Sequence, residues 1–193
     1  LARTAVFDGG HGVWIVESEV PLAVTSGLFR CRIFVSTALL GSLPPALVEA
    51  VIEHETAHAR RRDMLVKVVA SVLSVAHLPR ARSVLLADLE LAAEQACDED
   101  AGARLGDRLR VAQALVAVER LLHVTWARFG LAGVSFGGSS VAPRVESLLA
   151  DPAARAPHNK TKRWLVVAAV GALLLLADPL HHLTETILGL LTR

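Results

Sequence analysis

The chain has 193 residues, enough for one domain with a sizeable core and an appendage. Its formal net charge is +1 and few residues are aromatic, so the composition gives no support to direct binding of nucleic acid. The hydrophobic fraction of 53% and the mean hydropathy of +0.47 are high for a freely soluble domain and suggest contact with membrane lipid.

The N-terminal segments predict a small sheet that follows a linker. Residues 1–12 are rich in glycine and are predicted to be the linker. Residues 13–16, 20–25 and 33–35 are rich in β-branched and aromatic side chains, and serine, proline and glycine separate them. We therefore predict a small antiparallel N-terminal sheet.

The helix predicted for residues 46–62 carries a His-Glu-x-x-His motif at His54, Glu55 and His58. Two histidines four residues apart project from the same face of a helix, so both can bind one metal ion. The adjacent Glu55 can reach a water on that ion and accept its proton. This motif predicts a Zn²⁺ cofactor with His54 and His58 as ligands and Glu55 as general base. The alternative is a helix with two surface histidines.

A second long helix, predicted for residues 80–104, supplies acidic candidates for a third ligand. Glu94 lies on an apolar stripe of this helix, where a carboxylate needs a cation or a hydrogen-bonding partner. We predict Glu94 as the third ligand, with Glu90 and Asp98 as the competing acids. Asp98 is expected to accept the remaining ring N–H of a metal-bound histidine. Further helices are predicted for residues 64–76, 107–123 and 144–150.

The C-terminal part joins a basic linker to an apolar run. Residues 158–163 are polar and basic, and residues 164–177 carry no charge. As a helix that run would measure roughly 21 Å against about 30 Å of hydrocarbon, so a full span is not guaranteed. We predict that residues 158–193 form this linker and a transmembrane or membrane-associated helix with its basic flank in the cytoplasm. A core helix is the alternative. Because the first residue is not methionine, we expect the sequence to be a fragment.

Several motifs together resemble a known family. They are Gly27-Leu28-Phe29-Arg30, His54-Glu55-x-Ala57-His58-x-x-Arg61-x-Asp63, Glu94-x-Ala96-Cys97-Asp98 and Arg144-Val145-Glu146. The pattern is similar to that of the gluzincins, whose third zinc ligand is a glutamate on a second helix, and more narrowly to the bacterial BlaR/MecR antirepressor peptidases. The resemblance covers about residues 13–149. It implies a protein of the bacterial inner (cytoplasmic) membrane whose peptidase domain faces the cytoplasm and cleaves a transcriptional repressor.

The sequence thus predicts an α+β protein: a mainly helical, gluzincin-like zinc peptidase domain at residues 13–157, with a small antiparallel N-terminal sheet and a C-terminal membrane-anchor helix. Its predicted function is a membrane-associated endopeptidase that acts on a peptide or protein substrate, with a transcriptional repressor as the expected example. The chain has no tyrosine, so His123 and Arg144 are the candidates to stabilise the oxyanion. The alternatives are a quality-control or processing peptidase resembling heat-shock or prenyl-protein proteases, and a non-catalytic signalling scaffold in which zinc joins two helices.

Overall fold

Four short strands precede six helices in the described part of the chain, which a computed structural model defines for residues 5–10, 12–76, 78–128 and 141–150. The strands are β1 (Ala5–Asp8), β2 (Val13–Val16), β3 (Ala23–Ser26) and β4 (Arg32–Ser36). The helices are α1 (Thr37–Ser42), α2 (Pro45–Arg61), α3 (Asp63–Leu73), α4 (Pro79–Leu105), α5 (Arg108–Arg128) and α6 (Val141–Leu149), and a 3₁₀ turn, Ser74–Ala76, follows α3. All of these elements belong to one structural unit, Leu1–Ala150.

The strands form one mixed sheet in the order β1-β2-β4-β3. Two pairings, β1 with β2 and β3 with β4, are antiparallel, but β2 and β4 run parallel. The predicted antiparallel sheet is therefore wrong at its central pairing. The segment between β2 and β3 does not close a hairpin, because it binds the end of β4: Leu22 N donates to Ser36 Oγ and Ser36 N donates to the Leu22 carbonyl, each at 2.8 Å. Strand β3 consequently lies at an edge of the sheet.

The outer strand β1 lies within residues that the sequence predicts as a linker. Its Phe7 is in register with Trp14 of β2, and their ring centroids are 5.3 Å apart. Asp8 organises the turn to β2, because its carboxylate accepts from Gly10 N and its carbonyl accepts from Gly12 N, both at 2.9 Å. Gly12 has a φ of +68°, a conformation that glycine adopts readily. The linker prediction misses this strand, since a glycine-rich turn has much the same composition as a linker.

Helix α2 is the centre of the fold because it packs on two sides. One set of its side chains, Ala50 and Val51, belongs to a core shared with α4, α5 and α6. On another face, Ile52 joins a second core made with the sheet and α1. Pro45 lies in its first turn, where a missing N–H costs nothing, and the helix ends where Arg62 adopts a left-handed φ of +55°.

The predicted helices agree with the structure to within a few residues at most ends. The long helix predicted for residues 80–104 is α4, and the helix predicted for residues 107–123 is α5, which continues to Arg128. The mainly helical domain with a small N-terminal sheet is consistent with the predicted α+β class. The predicted anchor at residues 158–193 lies outside the described residues. Among the residues that are described, no helix combines the length and the apolar character needed to cross a membrane.

Candidate metal centre and active site

Three potential ligands converge between α2 and α4. One helical turn separates His54 from His58 on α2, and their Nε2 atoms lie 3.1 Å apart. Glu94 of α4 faces both rings, with carboxylate oxygens 3.4 Å from His54 Nε2 and 3.5 Å from His58 Nε2. These are the residues that the sequence predicts as ligands, and the structure brings all three together.

The spacing of the three groups fits a zinc ion. Ligands at zinc-to-ligand distances of 2.0–2.1 Å around a tetrahedral centre lie about 3.3 Å from one another. The separations of 3.1, 3.4 and 3.5 Å among His54, His58 and Glu94 are close to that value, with a different carboxylate oxygen of Glu94 facing each histidine. Two imidazoles and one carboxylate also form a donor set that leaves the fourth position of a catalytic zinc open.

A carboxylate lies next to the Nδ1 atom of each histidine, on the side of the ring away from Nε2. His54 Nδ1 lies 2.9 Å from Asp98 Oδ1, and His58 Nδ1 lies 2.8 Å from Asp63 Oδ2. A partner on Nδ1 leaves the lone pair of Nε2 free for a metal. The left-handed Arg62 places Asp63 there, because it ends α2 and lets the chain turn back beneath His58.

Asp63 is a site residue to which the sequence analysis assigns no role. It is 5% exposed, and Cys97 Sγ donates to its Oδ2 at 3.1 Å, so one carboxylate contacts both a histidine and a buried thiol. Burial and the nearby Asp63 carboxylate raise the pKa of the Cys97 thiol above its ordinary value. Its position five residues after His58, in a stretch of arginines, was the available signal.

The electrostatics of the cluster favour a cation between the histidines. Burial by itself would lower the pKa of His54, but Asp98 and Glu94 raise it from 6.5 to about 9. Burial opposes ionisation of Glu94, yet its contacts with His54 and His58 and the charge of Arg144 hold its pKa far below the ordinary value. The same two carboxylates that favour a proton on His54 would favour a metal ion.

Arg144 of α6 joins the two acids of α4. Its Nε donates to Asp98 Oδ2 at 2.8 Å and its Nη2 donates to Asp98 Oδ1 at 2.7 Å, which makes a bidentate pair. Its Nη1 lies 3.1 Å from Glu94 Oε2. Although burial works against the charged forms, this pairing lowers the pKa of Asp98 and raises the pKa of Arg144.

Arg144→Met is expected to lower the free energy of unfolding by about 3 kcal/mol, because it leaves the 1% exposed Asp98 without its main counter-charge. Equilibrium unfolding in urea measures the loss. The matched control is Arg110→Met, since Arg110 pairs with Glu49 at the surface at 3.2 Å and should contribute less than about 1 kcal/mol. Equal effects of the two substitutions would mean that the buried pair does not hold α6 to α4.

The remaining predicted site residues occupy different positions. Glu55 lines a cleft of about 450 Å³ together with His54, His58, Glu94 and Arg144. Thr25 of β3 also lines it, and Thr25 Oγ1 lies 2.8 Å from both the main-chain oxygen and the Oε2 of Glu55. His123 is exposed on α5 and is not among the residues that line this cleft. Glu90 is exposed and pairs with Lys67 at 3.0 Å.

Sequence comparison adds a family to this geometry. A family model described as peptidase family M48 matches residues 2–163, which include every element of the cleft. The chain belongs to peptidase family M48. M48 peptidases are zinc-dependent metallopeptidases, in agreement with the donor set formed by His54, His58 and Glu94.

Two curated relatives support the M48 assignment. Both are described as "Protease HtpX homolog 2". The protein of Methanosarcina mazei is 42% identical over 64 residues, covering 32% of this chain and 22% of the relative. The protein of Methanosarcina acetivorans is 39% identical over 62 residues, covering 31% and 21%. The matches therefore span about a fifth of the length of these relatives. No solved structure matches the chain significantly. Neither relative carries an antirepressor name, so the narrower BlaR/MecR grouping of this M48 chain stays a prediction.

Proposed function

We propose that this M48 chain is the catalytic domain of a membrane-associated, zinc-dependent endopeptidase. The observation that carries the proposal is the convergence of His54, His58 and Glu94 in a cleft that also contains the carboxylate of Glu55. A zinc site that only joined two helices would have no use for Glu55, so the arrangement favours a peptidase over a scaffold.

Each residue of the cleft has its own proposed role in peptide hydrolysis. His54, His58 and Glu94 would hold the metal, which when bound supplies Lewis-acid activation of water and of the scissile carbonyl. Glu55 takes a proton from the attacking water and returns it to the leaving amine. Asp98 and Asp63, whose carboxylate oxygens lie 2.9 Å and 2.8 Å from the Nδ1 atoms, would orient the two imidazoles. Of the two predicted oxyanion stabilisers, Arg144 is better placed than His123 because it lines the cleft.

The substrate would bind in an extended conformation along β3. This strand is at the edge of the sheet, and Ala23, Val24 and Thr25 line the cleft. An edge strand offers unpaired backbone groups that bind a peptide main chain with little demand on its sequence. The active cleft would therefore accept unfolded or extended segments of proteins.

Chelation is expected to abolish this activity reversibly. After dialysis against 1,10-phenanthroline, cleavage of an unfolded test protein such as casein should fall to background, because the ligands alone cannot activate water. Addition of about one equivalent of zinc should restore the activity, measured as the release of labelled peptides. Cleavage that survives chelation would contradict the proposal.

Thr25→Val is expected to lower kcat roughly tenfold with little change in KM, because Glu55 loses the hydroxyl that lies 2.8 Å from its carboxylate. Peptide hydrolysis kinetics measure the effect, and zinc content should stay at the parental value. Thr25→Ser keeps the hydroxyl and should restore kcat. If the valine variant matched the parent, Thr25 would have no part in positioning Glu55.

Two biological roles remain within the proposal. The motif resemblance to BlaR/MecR proteins favours a peptidase of the bacterial inner membrane that cleaves a transcriptional repressor in the cytoplasm. The 42% identity to a protease named as an HtpX homologue favours a quality-control or processing peptidase. Capture of substrates on the inactive Glu55→Gln variant, followed by mass spectrometry, discriminates between them. A single DNA-binding repressor would support the first role, and assorted fragments of membrane proteins would support the second.

A further inference from the structure

A continuous stretch of the chain exposes large apolar side chains. More than half of the exposed large hydrophobic residues among those described lie between Met64 and Leu85. The most exposed within this stretch are Val72 at 66%, Val75 at 69% and Leu78 at 78%. We call residues 68–76 and 78–87 the apolar tip. Apolar side chains on a soluble surface are usually scattered singly, so a contiguous group of this size indicates a contact surface.

The apolar tip is the end of a helical hairpin. Lys67 of α3 pairs with Glu90 of α4 at 3.0 Å, and further along the pair Arg82 Nε donates to Ser74 Oγ at 3.2 Å. Residue numbers thus increase from Lys67 to Ser74 on one side while they decrease from Glu90 to Arg82 on the other, so the two helices are antiparallel. The 3₁₀ turn Ser74–Ala76 forms part of the connection at the far end.

The charges of the apolar tip have one sign. Residues 68–87 contain no aspartate, glutamate or lysine, and they contain two arginines, Arg80 and Arg82. Acidic residues begin at Asp88, at the base of the hairpin. An apolar surface with only cationic charges is complementary to the headgroup region of an anionic bilayer.

We propose that the apolar tip inserts into the surface of an anionic lipid bilayer. Insertion is shallow, because α3 has 11 residues and measures about 16 Å, roughly half of the hydrocarbon thickness. This contact is separate from the anchor expected at residues 158–193 and goes beyond the proposed peptidase function. Its consequence for that function is geometric: Met64 and Lys67, on the same helix as the tip, line the active cleft, so the cleft opens close to the lipid surface.

The test places a tryptophan on the apolar tip of the full chain and measures its quenching by brominated lipids. Val75→Trp reports the tip, and Leu78→Trp is the second probe if the first variant fails to fold. The matched control is Val124→Trp, whose parent side chain is 53% exposed on α5. Emission of the unsubstituted protein supplies the background from Trp14, Trp126 and Trp164. Vesicles contain phosphatidylcholine with or without phosphatidylglycerol, brominated at carbons 6 and 7 or at carbons 11 and 12.

We expect vesicles that contain phosphatidylglycerol and are brominated at the shallow position, carbons 6 and 7, to quench roughly half of the emission added by Val75→Trp. The same vesicles should quench little of the emission added by Val124→Trp. Adding Arg80→Glu to the tip variant should weaken this quenching at least about fivefold, whereas Arg120→Glu on α5 should not. Equal quenching of the tip and control probes would overturn the proposal. Tip emission that is already blue-shifted without vesicles, or dependent on protein concentration, would show that protein covers the tip and would overturn it as well.

These measurements do not use catalytic activity. A preparation that holds no zinc after reconstitution but whose tip is quenched as described would contradict only the peptidase proposal. One that hydrolyses peptides but whose tip stays unquenched would contradict only the lipid proposal.

Discussion

Glu55→Gln is expected to reduce peptide hydrolysis by roughly 10²–10⁴-fold, because the amide cannot take a proton from the attacking water. Thr25 can still donate a hydrogen bond to the new side chain, so the geometry of the cleft should survive. Hydrolysis of a fluorescent peptide measures the loss, and elemental analysis should find the same zinc content as in the parent.

The control for this experiment is Glu53→Gln, two residues earlier on α2. Glu53 does not line the cleft, and its nearest ion-pair partner is Arg60 at 3.9 Å, so the substitution should leave hydrolysis unchanged. A Glu55→Gln protein with normal turnover would refute the assignment of the general base. An inactive parent would be tested instead by the zinc measurements described next.

Glu94→Ala is expected to lose most of its zinc. The parent should retain about one zinc per chain after dialysis, whereas the variant keeps only two imidazole ligands and should retain less than roughly a tenth of that amount. Elemental analysis of dialysed protein measures both values. Asp98→Asn should bind zinc roughly 10–100-fold more weakly, since its effect passes through the orientation of His54.

Glu90→Ala is the matched control for Glu94→Ala. Glu90 lies one turn earlier on α4, pairs with Lys67 and is largely exposed, so its removal should leave the zinc content unchanged. If Glu90→Ala lost zinc and Glu94→Ala did not, Glu90 would be identified as the third ligand instead of Glu94. A parent without zinc after reconstitution would refute the metal site itself.

Local sequence patterns were sufficient for the parts of the site that lie on single helices. The spacing of His54 and His58 implies a shared face, and the apolar stripe around Glu94 implies that its carboxylate is turned inward. The structure brings these three groups together and places Asp98 beside His54. The family found by comparison is a metallopeptidase family, as the motif predicts.

Features that depend on the path of the chain were not predictable from such patterns. The parallel pairing of β2 with β4 is accompanied by hydrogen bonds between Leu22 and Ser36, which are 14 positions apart and which no local pattern predicts. The role of Asp63 depends on the left-handed conformation of Arg62, a residue type that gives no hint of a positive φ. The contact between Thr25 and Glu55 joins positions 30 residues apart and depends on how β3 packs on α2.

The bidentate contact of Arg144 has a thermodynamic consequence for the C-terminal side of the domain. Arg144 is a buried cation, and it connects α6 to Asp98 and Glu94. Because linkage is reciprocal, whatever free energy occupancy of the metal site adds to or removes from the docking of α6, docking of α6 adds to or removes from metal binding. The docking of α6 and the binding of metal are thus thermodynamically coupled through Arg144.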